Sequence, residues 1–374
     1  MERIEGYFLR KTPLYYAHSA ACRFGRFSEL YLGWMPLNFF AVVAQHEVFG
    51  HGYRIRDINR GRVKAKGYFF DLPPPYGRGG GATSYDISDA LTTTEETSIA
   101  MAGVESTAIL ALQTKFKWLE ARRIDPRQAV LYLLSQHDLN LYIGTLDIVD
   151  EEEGHDIRMY IQSLNLTYTR NFLNKGRLRS LSWMNLGDPF TLYAIYSWFR
   201  YVACGKETHI PMIPIYGWNY LCNIRLGLTP FGPEVFLENY LVKGKKPIYF
   251  YMKGGKHSGN FYGGFGMYAA KFWKIRHWHI GFRLDGFKQP KLLIQSSPIP
   301  FTQIDFKQKP SKKTPLYSTS EQHSSALGWG GSLIFSYSKG SGGEVEIGLK
   351  SMGFIPGTPL RASPIARLFY TLSF

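Results

Sequence analysis

Leu327-Gly328-Trp329-Gly330-Gly331-Ser332-Leu333-Ile334-Phe335-Ser336-Tyr337-Ser338 decides how the second half of this chain folds. Most odd positions are bulky and apolar, while the even ones are Gly or Ser apart from Ile334. Successive side chains of a strand point to opposite faces, so this alternation writes a strand with one large apolar face and one small face. Tyr216-Gly217-Trp218-Asn219-Tyr220-Leu221-Cys222-Asn223-Ile224-Arg225-Leu226 follows the same rule, as do residues 277–285 and 344–350. About eight such segments begin near Ile213, Glu234, Pro247, Asn260, Ile275, Ala326, Gly343 and Ile365. Residues 290–322, carrying Pro, Lys and Ser, read as one long loop-like insertion.

Consecutive antiparallel strands of this kind make a closed barrel or a sandwich. A sandwich turns its apolar face inward, whereas a membrane barrel turns it outward to lipid. A face of Gly and Ser lacks the Lys and Glu of a solvent surface and suits the packed lumen of a small barrel. At the chain end Leu368, Tyr370, Leu372 and Phe374 alternate with Arg367, Phe369, Thr371 and Ser373. This end resembles the terminal strand of bacterial outer-membrane barrel proteins, whose assembly machinery recognises a C-terminal aromatic preceded by apolar residues at every second position. The resemblance implies a lipid bilayer as partner and the outer membrane of a Gram-negative bacterium as location. Against export stands the start, Met1-Glu2-Arg3-Ile4-Glu5-Gly6, which lacks a signal-peptide apolar region. No run of ~18 uninterrupted apolar residues is present for a spanning helix.

Before Gly205 the grammar is helical. Helices are expected over residues 37–50, with Pro36 and Asn38 marking the start, and over 99–122, 126–146 and 190–203. Thr92 and Glu95, or Thr93 and Glu96, have capping-box spacing. Residues 63–72 read as one short strand, followed by a loop through Pro73-Pro74-Pro75 and Gly79-Gly80-Gly81. Asp150-Glu151-Glu152-Glu153 reads as a solvated turn.

The chemistry lies in Gln45-His46-Glu47-Val48-Phe49-Gly50-His51-Gly52, which follows an apolar run over 37–44. Zinc peptidases commonly place two histidines at i and i+4 of one helix with a glutamate as base. Here the spacing is i and i+5. At about 100° per residue the two imidazoles stand about 140° apart, too far to share an ion. A π-bulge restores a shared face, and Gly50 is the residue that most readily permits one. Alternatively the helix ends at Gly50 and His51 folds back from the turn.

The pattern His-Glu-x-x-Gly-His-Gly resembles the His-Glu-x-x-x-His motif of the TldD/PmbA metallopeptidases over about seven residues. The resemblance implies His46 and His51 as zinc ligands and Glu47 as catalytic base. That family's third ligand is a downstream cysteine, and Cys204 is the position with a comparable local look. The residues themselves favour Glu105 as third ligand. A carboxylate in the apolar stretch 99–110 must be paired or bound to a cation. Gly103, Ala102, Ser106 and Ala108 would let a second helix approach closely. Two histidines from one helix and a glutamate from another is the gluzincin arrangement, although Ile109 stands where that class often carries Asp. His137, His155 and Asp156 are further candidates, and His277 and His279 share one strand face.

The expectation is therefore an α+β protein. A mainly helical, zincin-like region over residues 1–205 precedes an antiparallel β-barrel of about eight strands over 206–374. One Zn2+ held by His46, His51 and Glu105 would activate water, with Glu47 as base, against a peptide or protein substrate. Two rivals remain: a non-enzymatic barrel with a helical plug or structural metal, and a soluble enzyme with a substrate-binding sandwich. The formal charge of +15 and pI near 9.5 suit anionic lipid headgroups. No basic helix or nucleic-acid fold signature is present, so no nucleic-acid partner is expected. Cys22, Cys204 and Cys222 are odd in number and far apart, which gives no disulfide framework.

Overall fold

A helix of 39 residues, α1 (Ala20–Ile58), carries the histidine motif in this computed structural model. The structure describes residues 19–88, 91–146, 155–168, 172–294, 324–337 and 342–371. The acidic run 150–153, most of the 290–322 insertion, and Leu372, Ser373 and Phe374 lie outside them. Ser19 caps α1 by accepting from the Cys22 amide. Pro36 does not start the helix but sits inside it. A proline ring there collides with the carbonyl four residues back. The chain meets this with a π-helical turn over Glu29–Trp34, and the Leu32 carbonyl accepts from the Tyr76 hydroxyl at 2.8 Å.

Strands β1 (Val63–Phe70) and β2 (Gly81–Ile87) form an antiparallel hairpin, so the expected single strand has a partner just beyond the glycine loop. Helix α2 (Thr93–Ala100) begins with the Thr92–Glu95 capping box. It breaks at Met101, and α3 (Ala102–Ala121) continues. A short turn at Pro126 leads into α4 (Ala129–Thr145). Then come α5 (Asp156–Thr167), α6 (Lys175–Ser182) and α7 (Pro189–Cys204). Asp188 caps α7, and Gly205 ends it in the left-handed conformation.

Apart from a short pair, Arg123–Ile124 with Thr208–His209, the remaining strands are β3 (Ile213–Ile215), β4 (Trp218–Thr229), β5 (Gly232–Lys243), β6 (Lys246–His257), β7 (Asn260–Ile275), β8 (Trp278–Pro290), β9 (Ser325–Tyr337), β10 (Gly342–Lys350) and β11 (Ser363–Thr371). They form one nine-stranded antiparallel sheet in chain order. The count exceeds the expectation because Tyr216 and Gly217, both at positive φ, fold the first segment into a tight hairpin. The expected closed barrel is not found: among the described residues β3 and β11 are the sheet's two edges. Closure depends on pairing the first strand with the last, which alternation along a strand does not encode.

The sheet is inside-out. One row of registered partners runs Asn223, Glu238, Tyr251, Gly266, Asp285, Gly330, Lys350, Ser363. This polar row faces the helices. The row one residue along, on the opposite face, runs Ile224, Leu237, Met252, Phe265, Gly286, Trp329. Its side chains are 37% to 65% exposed. On β9 the Gly/Ser face turns inward, where Ser332 and Ser336 donate to Glu346 and Glu344, while Leu327, Trp329 and Leu333 point out.

Helix α3 packs on the inner face. Phe116 meets the rings of Tyr240, Tyr249 and Tyr268. Buried Lys115 lies between Asp188 at 3.2 Å and Glu238 at 3.4 Å, tying α3 to the start of α7 and to β5.

Candidate metal centre

The turn over Gln45–His51 is π-helical, so the spacing that looked defective is the spacing this turn requires. A ring closed from i to i+5 brings residues five apart onto one side. The Nε2 atoms of His46 and His51 are accordingly 3.2 Å apart. Gly50 has a second reason to be glycine. A Cβ there would lie 2.7 Å from both the Ala102 carbonyl and the Gly103 Cα. A Cβ on Gly103 would lie 2.1 Å from His46 Nε2. The two glycines let α1 and α3 touch backbone to backbone and leave room for the ring. Gln45 and Ser106 lock the crossing: Ser106 Oγ donates to the Gln45 carbonyl at 2.6 Å, and Gln45 Nε2 to the Ser106 carbonyl at 3.2 Å.

Each imidazole is oriented from behind. His46 Nδ1 meets Asp138 Oδ2 at 2.8 Å, and His51 Nδ1 meets the Ile99 carbonyl at 2.9 Å. Both partners are acceptors, so both Nδ1 atoms carry hydrogen, and each ring in its neutral form presents its lone pair at Nε2. Thr107 donates to the same Asp138 oxygen at 2.8 Å, which fixes that carboxylate in turn. In front, Asp156 Oδ2 stands 2.9 Å from His46 Nε2 and 3.0 Å from His51 Nε2.

Three acceptors thus converge within about 3 Å, and the arrangement needs a cation: protons on the imidazoles or a metal ion. Tetrahedral ligands at about 2.0–2.1 Å from an ion sit about 3.3 Å from one another, so the triangle is slightly tight but of the right size. Burial works against protonating His46, but Asp138 and Asp156 outweigh it and hold its pKa well above the ordinary imidazole value. Burial likewise opposes charge on His51, and Asp156 raises it. Burial would raise the Asp156 pKa, yet the two imidazoles pull it well below the carboxylate range.

Glu47 is buried beside this triangle, and Thr83 Oγ1 of β2 donates to its Oε2 at 2.7 Å. The Tyr142 hydroxyl lies 3.1 Å from His46 Nε2, with its ring stacked on the imidazole. A cleft of about 220 Å³ opens onto His46, Glu47 and Tyr142.

Glu105 does not join the histidines. Its two oxygens accept from Arg54 Nη2 at 3.0 Å each, and Oε1 also accepts from the Gly357 amide at 2.7 Å. The buried carboxylate does have a cation, but the chain supplies it. The third group at the histidines is Asp156, and among the described residues this is the one cluster of three metal-ligating side chains. Cys204 ends α7 and is not part of it. His137 Nε2 meets Thr191 Oγ1 at 2.9 Å, and His155 is buried with Nε2 3.2 Å from Thr145 Oγ1. His277 precedes β8 and His279 lies within it, and neither joins the cluster.

Asp138 and Tyr142 are the residues that sequence reasoning missed. They are spaced i, i+4 on the apolar helix α4, which puts them on one face. The chain matches no family model, no curated protein and no solved structure.

Proposed function

We propose that the chain is a membrane-associated, zinc-dependent peptidase whose ion is held by His46, His51 and Asp156. The observation that carries this reading is the meeting of two Nε2 lone pairs and a carboxylate oxygen in a buried site. Bound zinc would supply Lewis acidity toward a scissile carbonyl and toward water. Glu47 takes the water proton on its carboxylate and returns it to the leaving nitrogen. Asp138 and Ile99 hold the two imidazoles in the tautomer that leaves Nε2 open. The Tyr142 hydroxyl is placed to donate to oxygen charge that develops beside His46. Three protein ligands beside an open cleft favour a catalytic over a structural ion, since structural zinc sites are closed by a fourth side chain.

Membrane association is supported by the exposed apolar face of the sheet, registered across six strands from Ile224 to Trp329. Closed barrels of the bacterial outer membrane have this polarity, with apolar side chains to lipid and polar ones inward, and the sheet shares it. The charge of +15 favours anionic headgroups. Zinc content and peptidase activity of the Glu47→Gln protein test the mechanism. The expected result is about one zinc per chain with activity lowered about 10²–10⁴-fold. Undiminished activity in that variant would overturn it.

A further inference from the structure

The cleft is walled by Phe39, Val42, Val43, Leu134 and Leu141. Among the described residues its charged or titratable lining groups are Glu47, His46, Asp138 and Tyr142, all of which belong to the site, and Thr145 adds a hydroxyl. A cleft that receives a polar, water-borne peptide needs polar partners along its walls, and this one offers apolar carbon. The rim is apolar too. Leu37, Phe40, Leu72 and Leu141 are each about half exposed or more, and Phe40 leans on Phe70 at 5.4 Å.

Earlier on α1, Leu32, Tyr31, Phe27 and Phe24 are all exposed as well. Phe27 meets Trp198 of α7 edge to face, and α7 adds Leu192, Ile195, Tyr196 and Phe199 at helical spacing, again exposed. Arg26 fastens the two helices by donating to the Val202 and Ala203 carbonyls. Apolar surface this extensive marks contact with a membrane or partner.

One further feature selects the occupant. Gly80 and Gly81 put bare backbone into the cleft wall beside Glu47, where a Cβ on Gly81 would lie 3.0 Å from Glu47 Cγ. On the hydrolytic reading the occupant must bring a peptide bond up to Glu47, which an acyl chain lacks.

We infer that the cleft receives apolar polypeptide segments from the lipid phase, so that the substrates are membrane-embedded stretches of protein. This rests on reading the site as hydrolytic, and the experiment separates the two. Full-length Glu47→Gln protein, zinc-loaded and in liposomes, is exposed to three photoreactive probes. They are a ~20-residue Leu/Ala peptide of membrane-spanning length, a polar peptide of equal length, and a phospholipid with the photoreactive group on its acyl chain.

The expected result is labelling of residues 39–43, 80–81 or 134–141 by the apolar peptide at least about tenfold above the polar one, a preference of about 1.4 kcal/mol. Leu141→Glu, at an exposed rim position, should cut that labelling about tenfold with zinc content unchanged. Equal labelling by the polar peptide would overturn the inference, as would lipid labelling of the same residues that displaces the peptide. Labelling by the apolar peptide without its cleavage by the wild-type protein would support the cleft assignment and sink the hydrolytic reading. Cleavage of polar peptides without apolar labelling would do the reverse.

Discussion

Two buried polar clusters hang on α1, one helical turn apart, and they differ in who supplies the cation. At Arg54 the chain does. The guanidinium donates to both Glu105 oxygens, to Asp57 at 2.9 Å and to the Thr358 carbonyl at 3.2 Å. The Gly357 and Leu360 amides complete the two carboxylates. Both carboxylates are fully partnered, Arg54 Nε alone being left without an acceptor among the described residues, and the cluster latches α1, α3 and the 353–360 loop together. At His46, His51 and Asp156 the same accounting leaves three acceptors facing one point, with Tyr142 as the nearby donor. A buried polar group costs stability unless it is partnered. A cluster that the chain completes is a fastening, and one that it leaves incomplete is a place for a ligand.

The largest effect that could break this contrast is on folding. Arg54→Met strands two buried carboxylates and should cost about 3–5 kcal/mol in denaturant unfolding, with zinc stoichiometry unchanged in the folded fraction. Lost zinc with intact stability would show that the clusters had been assigned the wrong way round. Next, Asp156→Asn removes a charged ligand. Its zinc Kd should rise at least about 100-fold, about 2.7 kcal/mol, while metal-free stability changes less than in Arg54→Met. Calorimetric titration reads this directly, and an unchanged Kd removes Asp156 from the site.

Asp138→Asn leaves all three ligands but loosens His46. A rise in zinc Kd of about 10–100-fold is expected, since partners behind a ligand carry that much. The smallest effect is a crossing in pH. Both imidazole pKa values are raised in the fold. Without metal their stabilisation is therefore full below the unfolded value of about 6.5 and is lost as pH rises through the folded values. Zinc needs the unprotonated Nε2, so stabilisation by zinc should grow over that same rise. Thermal melts with and without zinc between about pH 5 and 9 should diverge on the alkaline side. Parallel curves would contradict the shared use of Nε2.

The sequence carried the two imidazoles and Glu47 plainly, because an apolar run into His-Glu-x-x-Gly-His leaves few other uses for them. It also carried the π turn, which i, i+5 spacing requires if the rings are to meet. It offered Asp156 only as one of several further candidates and not as the third ligand, because that residue lies 105 residues beyond His51 and opens a helix with no periodic link to α1. Glu105 misled because a carboxylate in an apolar helix fits an arginine as well as an ion, and Arg54 gave no sign of being buried. In the second half, alternation placed the strands and faced Gly and Ser inward. It could not set the edges of the sheet, since β3 and β11 are about 150 residues apart and their relation is decided by the whole stack of registers.

The most direct measurement is anomalous diffraction at the zinc edge from crystals of the zinc-loaded protein. The account predicts one peak about 2.0–2.2 Å from His46 Nε2, His51 Nε2 and an Asp156 oxygen. A peak coordinated by Glu105, or no peak at these three side chains in stoichiometrically loaded protein, would contradict it.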